Sequence, residues 1–316
     1  MGVSNLVKIL KSVNNSSKFI CLDFETKKYD LIVIDLMCYI YAAAFISVNP
    51  KCSHPAHAIF TGTMLCLIEK LLVYGNNFEF VIDSGERCVS KKLRPELNKN
   101  VKKIVSELMK HHKMLVTQAV TVKVGGFFFS KSLSEAECHA WWKYKTDLSR
   151  NILQVSRDSD IFIIDSIYNL DHITALYDDT KDGFLKLEKP LSCKQRNFMN
   201  VLLACLGNDY LDSTYAPSKH EQFCGNIIMH LDDYPQNEII DFKNIWCILA
   251  KSTIQKRDGK IKYSVDQLKE IYQIRESNWE WYNNYILTSN QGNEITRCEY
   301  KRNKDTEKFF TNIEQY

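Results

Sequence analysis

Three short apolar runs, each leading into aspartate, constrain what this chain can fold into more than any other feature. Residues 29–34 (YDLIVI) run into Asp35, and residues 78–82 (FEFVI) run into Asp83. Residues 152–156 (ILQVS) lead to Asp158 and Asp160, and a further apolar stretch over 161–164 follows. Each run is short and β-branched or aromatic, as strands buried on both faces are. Longer stretches of helical spacing separate them. Over 58–73, for example, Phe60, Met64, Ile68, Leu71 and Leu72 share one face. Strands alternating with helices predict an α/β fold with a mostly parallel central sheet flanked by helices. After about residue 190 the pattern becomes helical, with candidate helices over 196–206 and 265–274, and the tail from about residue 290 is polar.

In open parallel sheets, binding sites form at the carboxyl ends of strands. Asp35 and Asp83 fall at two such ends, and Asp158 with Asp160 at a third. In extended backbone, a spacing of two turns both carboxylates of that last pair to one face. Acids crowded at one sheet edge repel unless cations neutralise them. An all-oxygen donor set favours magnesium or manganese. The competing explanation is that an Asp after an apolar run simply serves a turn or a helix cap. Three such ends, one of them doubled, bring the metal site level with it. A second pair lies in Ser134-Glu135-Ala136-Glu137. Ser134 with Glu137 reads as a capping box that opens a helix over 135–145. On such a helix the two Glu point about 200° apart, so only at its first turn do both reach one site.

Composition narrows the remaining classes. With 45% hydrophobic and 25% charged residues the chain is ordinary for a soluble globular protein, and its net charge of +3 does not by itself mark a nucleic-acid binder. Basic charge is instead local: Arg87, Lys91, Lys92, Arg94, Lys99, Lys102, Lys103, Lys110 and Lys113 fall within 27 residues. Pro95 suits a first helical turn. Leu97, Val101, Ile104, Val105, Leu108 and Met109 then form an apolar stripe with the lysines largely off it, as on a solvated helix face. The 11 cysteines are odd in number and contain no C-x-x-C pair, and the eight histidines show no metal spacing. A zinc site or disulfide framework is therefore not expected, and reduced thiols point to an intracellular protein of nucleus or cytoplasm. No apolar run approaches the 18 residues of a membrane span, and no phosphate-binding G-x-x-x-x-G-K-[ST] loop supports a nucleotide phosphotransferase.

Taken in order, the segments resemble the flap-endonuclease/XPG family of structure-specific 5′ nucleases, whose core is PIN-like. Met1-Gly2-Val3-Ser4-Asn5-Leu6 resembles the family's Met-Gly-Ile-x-x-Leu start, and Ile34-Asp35-Leu36 its first metal-binding aspartate. Phe80-Val81-Ile82-Asp83-Ser84-Gly85 is similar to its Val-Phe-Asp-Gly segment, with a serine inserted before the glycine. Glu135-Ala136-Glu137-Cys138 resembles Glu-Ala-Glu-Ala, Asp158-Ser159-Asp160 the Asp-x-Asp pair, and Leu206-Gly207-Asn208-Asp209-Tyr210 the Leu-Gly-Ser-Asp-Tyr motif. The resemblance covers roughly residues 1–215. It implies seven metal-binding catalytic carboxylates, Asp35, Asp83, Glu135, Glu137, Asp158, Asp160 and Asp209, around two magnesium or manganese ions. Without the family, Asp209 reads as part of a plain turn after a helix. The resemblance also brings Gly2 near the site and makes the basic segment an arch over it. Lys91, Lys92, Arg94, Lys99, Lys102 and Lys103 then become candidate nucleic-acid contacts, as do Ser218 and Lys219 further on.

The implied organisation is a nuclease core over 1–212, made of an N-terminal part (1–83), a basic helical arch (84–114) and an internal part (115–212). A helical nucleic-acid-binding part (213–289) and a polar tail (290–316) follow. Three departures matter. The interval from Asp83 to Glu135 is shorter than in typical cellular members. The stretch Ser213-Thr214-Tyr215-Ala216-Pro217-Ser218-Lys219 lacks the glycines of the family's duplex-gripping turn. Phe309-Phe310 resembles a sliding-clamp box, but Asn303 and Thr306 stand where Gln and an aliphatic residue belong, so clamp binding is not expected. Cleavage of DNA at flaps or junctions is the leading expectation. An RNA endonuclease on the same core, of the herpesvirus host-shutoff type, stays open, as does a non-catalytic nucleic-acid-binding scaffold. The presence of all seven acids argues against the scaffold.

Overall fold

A computed structural model describes residues 22–23, 28–83, 98–120, 124–132, 135–159, 161, 164, 170–180 and 183–187. The candidate helices over 196–206 and 265–274, the helical part over 213–289 and the tail lie outside them. Among the described residues, no helix is long and apolar enough to cross a membrane.

The three runs read from sequence are strands: β2 (Leu31–Asp35), β3 (Asn77–Ile82) and β5 (Ile152–Ser156). They belong to a seven-stranded sheet with β1 (Leu22–Asp23), β4 (Gly126–Lys131), β6 (Ile173–Thr180) and β7 (Gly183–Leu187), in the order β1-β7-β6-β5-β2-β3-β4. The run β4-β3-β2-β5-β6 is parallel, and β7 and β1 add antiparallel at the β6 edge. The expected mostly parallel α/β sheet is what forms. Beyond β5, Ile161 and Ile164 are helical and buried.

Alternation divides the sheet into two faces. Ile32, Ile34, Phe78, Phe80, Leu153 and Val155 enter one apolar core with α1 (Leu36–Ser47), α2 (Ala56–Leu71) and α3 (Lys99–Ala119). Phe80 anchors this face, 5.6 Å from the Phe129 ring and 6.3 Å from the Phe127 ring of β4. Burying an aromatic side chain of this size contributes about 2–3 kcal/mol. The basic segment, where described, is α3. Its apolar residues Val101, Val105, Leu108, Leu115 and Val116 pack into that core, and Lys99, Lys102 and Lys103 face solvent. The helix begins at Lys99 with Asn98 as its cap, because Asn98 Oδ1 accepts the Asn100 N–H (3.0 Å); Pro95 falls outside the described residues.

The other residues of the same strands, among them Val33, Asp35, Glu79, Val81, Gln154 and Ser156, belong to the opposite face. There the chain forms a 3-10 turn (Ala136–Cys138) and the short helix α4 (His139–Lys143). The chain winds outward from β2 through β3 to β4, crosses back over this second face, and resumes at β5 on the other side of β2. The crevice between the ends of β2 and β5 is thus the point where the winding direction reverses, which is where open α/β sheets bind ligands. Asp30 pins the start of this strand pair, since its carboxylate accepts the Asn151 N–H (2.8 Å). Gly75 lets β2 pass close: a Cβ there would lie 2.7 Å from the Tyr29 carbonyl oxygen.

Candidate metal centre at the sheet edge

Asp35 is the last residue of β2 and also the N-cap of α1. The helix-cap and site readings therefore meet in one side chain. Oδ1 accepts the Met37 N–H (2.8 Å), and Oδ2 accepts from Ser156 Oγ (2.7 Å) at the end of β5. Ser156 Oγ in turn accepts the Asp158 N–H (3.0 Å). This closes a turn over 157–159, so Asp158 does not lie in the extended backbone expected for it. Strand parity instead aligns Ser156 with Asp35, and Asp158 enters the site from the turn. Asp160 lies outside the described residues.

The Glu135/Glu137 pair arrives from β4. Glu135 is extended, and the helix expected over 135–145 is replaced by the 3-10 turn and the five-residue α4. No side chain caps this turn from the Glu135 position. Asp83 does so from the end of β3, its Oδ1 accepting the Ala136 N–H (2.9 Å). Because Glu135 precedes the turn and Glu137 lies within it, the two are not held 200° apart on one helix. Their carboxyl groups lie close enough that Glu135 raises the pKa of Glu137.

The electrostatics show which acids come together. Burial pushes Glu137 well above the usual carboxyl range, and the neighbouring Glu135, Asp158 and Asp35 carboxylates push it the same way. Burial likewise raises Asp35 to about 6, with Asp158 adding to the rise, against hydrogen bonds from Ser156 and Met37 that lower it. Asp35, Glu135, Glu137 and Asp158 therefore share one largely buried acidic cluster, and Asp83 is tied to it through the Ala136 backbone. Cys38 lies alongside, donating through Sγ to the Asp35 carbonyl oxygen (3.3 Å) and accepting the Arg157 N–H (3.3 Å). Burial first and Asp35 second keep its thiol protonated, so it offers no soft thiolate.

The donor set is thus all oxygen, and its buried acids carry the repulsion that a cation would relieve. It fits a hard divalent ion. Among the described residues, no three His, Cys, Asp or Glu side chains are yet arranged around a common ion position. Asp209, Gly2, Lys91, Lys92, Arg94, Ser218 and Lys219 lie outside the described residues. Lys103 lines a cavity of about 790 Å³ formed by α1, α2 and α3, and Lys102 a smaller one of about 420 Å³.

Sequence reading missed Ser156, Glu79 and Arg157. Ser156 had a signal, because it matches Asp35 in strand parity. Glu79 had one too: a lone acid inside an apolar strand must have a buried partner. Arg157 is exposed beside Asp158, its guanidinium 5.9 Å from the Tyr39 ring centroid.

An acidic, all-oxygen cluster at the winding reversal of a parallel sheet defines a class: α/β proteins with a candidate divalent-metal centre. Among solved structures, the chain is similar to human GEN1 in complex with Holliday junction DNA, at 15% identity and a TM-score of 0.43, over 91% of this chain and 78% of that one. It is also similar to the T5 D15 protein co-crystallised with metal ions, at 13% identity and a TM-score of 0.48, over 90% and 98%. For the catalytic core of Rad2 in complex with DNA substrate the values are 14% identity and a TM-score of 0.42, over 90% and 99%. No family model and no curated protein matches the sequence.

Proposed function

We propose that this chain is a divalent-metal-dependent nuclease that hydrolyses phosphodiester bonds, with DNA flaps or single-strand/duplex junctions as its substrate. The observation that carries this reading is the gathering of Asp35, Glu135, Glu137 and Asp158 in one acidic cluster, with Asp35 and Glu137 buried and Glu135 and Asp158 half-buried. The ordered motifs from Met1 to Tyr210 support nuclease chemistry over other uses of such a cluster. Asp35, Glu135, Glu137 and Asp158 would hold the metal, joined by Asp160 and Asp209. Bound there, magnesium or manganese would supply Lewis acidity toward the phosphate and the attacking water.

The chain's own residues prepare the site. Ser156 and the Met37 N–H orient Asp35. Asp83 holds the turn that carries Glu137. Arg157, exposed and next to Asp158 in the chain, would meet a phosphate oxygen. Ser156→Ala removes the hydroxyl that serves both Asp35 and Asp158. It is expected to weaken manganese binding about 10–100-fold, as loss of a ligand-orienting partner does. Calorimetric titration checks this, and unchanged affinity would make Ser156 a bystander.

The test of the function is cleavage, side by side in magnesium, of 5′-end-labelled 5′-flap DNA, single-stranded DNA and single-stranded RNA. Chelation should stop cutting, and magnesium or manganese should restore it. Cutting at the flap junction establishes the DNA reading, and preferential cutting of RNA replaces it with an RNA endonuclease. No cutting of any of the three in either metal would sink the nuclease reading.

A further inference from the structure

Glu79 is charged and 0% exposed at the middle of β3. Both its oxygens are engaged. Oε1 accepts from His139 Nε2 (2.9 Å), Lys143 Nζ (2.6 Å) and Ser130 Oγ, and Oε2 accepts from Tyr144 Oη (2.6 Å). Three of these four donors come from α4 and the residue after it, directly following the Glu135/Glu137 turn. His139 is buried and, among the described residues, its Nδ1 has no hydrogen-bond partner, so Glu79 is the acceptor that orients its ring. Lys143 also lies over the Phe128 and Tyr144 rings, 5.3 and 5.0 Å from their centroids.

A five-residue helix has too few internal hydrogen bonds to hold itself in water, and no side chain caps this one. Its position must come from tertiary contacts. Meanwhile the turn that carries Glu135 and buried Glu137 runs directly into this helix, with the Asp83 carboxylate accepting the Ala136 N–H (2.9 Å) at its start. A turn anchored at one end and joined at the other to so short a helix moves with that helix unless tertiary contacts fix it. A buried ion cluster contributes little net stability compared with apolar packing, but it fixes geometry, because each hydrogen bond has a direction.

We propose that Glu79 is a positioning residue of the acidic centre: by fixing α4 through His139, Lys143 and Tyr144, it holds the Glu135/Glu137 turn beside Asp35 and Asp158, so that the acids a divalent cation would gather stay together. This rests on the nuclease reading above. Glu79 touches neither metal nor substrate; it acts through the turn.

The test uses the full chain and manganese alone, titrated by calorimetry without nucleic acid, alongside steady-state cleavage and circular dichroism. Glu79→Gln keeps the side-chain volume and removes the charge. It should fold, bind manganese at least about tenfold more weakly, and lower kcat about tenfold with KM for nucleic acid within about twofold. In a Glu137→Gln background the same change should cost nothing further, because the residue it positions is already disabled. Should Glu79→Gln not fold, Lys143→Met, whose side chain is partly exposed, should show the same loss of manganese affinity to a smaller degree. Wild-type manganese affinity in the folded variant overturns the proposal, as does an equal loss in both backgrounds, the mark of general loosening. If the wild-type chain neither binds manganese nor cleaves, the nuclease reading falls, and the positioning role with it.

Discussion

Asp35→Asn is expected to abolish cleavage and at the same time to stabilise the metal-free protein. The first effect follows from removing a charged ligand where the cation must sit. Metal-ion catalysis contributes several kcal/mol of transition-state stabilisation, so a loss of about a thousand-fold or more in kcat is expected. The second follows from burial. Asp35 is 2% exposed and its carboxyl group is raised from 3.8 to about 6. For a raised acid, the stability is fully present below the unfolded value and is lost as pH rises through the folded one. The metal-free wild type should therefore weaken between about pH 4 and pH 6 by about 3 kcal/mol, and Asp35→Asn should not. Its neutral amide keeps the shape and escapes the repulsion of Asp158 and Glu137. Denaturant melts at pH 4 and pH 7, with and without manganese, measure both. Wild type should gain stability from manganese and the variant should gain little. A variant that cleaves at a tenth of the normal rate, or melts at pH 7 below the metal-free wild type, would remove Asp35 from the centre.

Glu79→Ala should destabilise the fold by about 3–5 kcal/mol, the cost of breaking a buried ion pair from one side. Burial alone would raise Glu79, but the hydrogen bonds from His139, Lys143, Ser130 and Tyr144 outweigh it and hold the carboxyl at about 2, against an ordinary 4.5. The sign is opposite to that of Asp35. Stability from Glu79 is present above pH 4.5 and disappears as pH falls through about 2, which amounts to about 3 kcal/mol. The gap between wild type and Glu79→Ala in urea melts should be widest near neutrality and narrow steadily below pH 4.5. A gap independent of pH would mean that the lost volume, and not the carboxylate, carries the cost. The two variants thus make a pair: one acid that weakens the metal-free fold as it ionises, and one that strengthens it.

That contrast also separates what could be read in the sequence from what could not. The strands β2, β3 and β5 were legible because a short apolar, β-branched run has few other places to go than the interior of a sheet. Asp35 and Asp83 were legible as strand-end acids. β4 was not singled out, although its run of Phe127, Phe128 and Phe129 is as apolar as the others, because no acid marks its end. The capping box over Ser134–Glu137 suggested a regular helix. The structure has a 3-10 turn instead, since Asp83, far away in sequence, supplies the cap. Local propensity yields when a tertiary partner satisfies the same backbone group.

Periodicity and residue chemistry are local properties, so the fold class, the strands that lead to Asp35, Asp83 and Asp158, and the all-oxygen character of the acids were legible in the chain. That β2 and β5 adjoin, that Ser156 joins Asp35 to Asp158, and that Glu79 answers to α4 emerged with folding. Those depend on strand order and register, and on which face each side chain takes. A charge's meaning, whether repelled as at Asp35 or satisfied as at Glu79, is set by neighbours that lie 64 and 121 positions away along the chain.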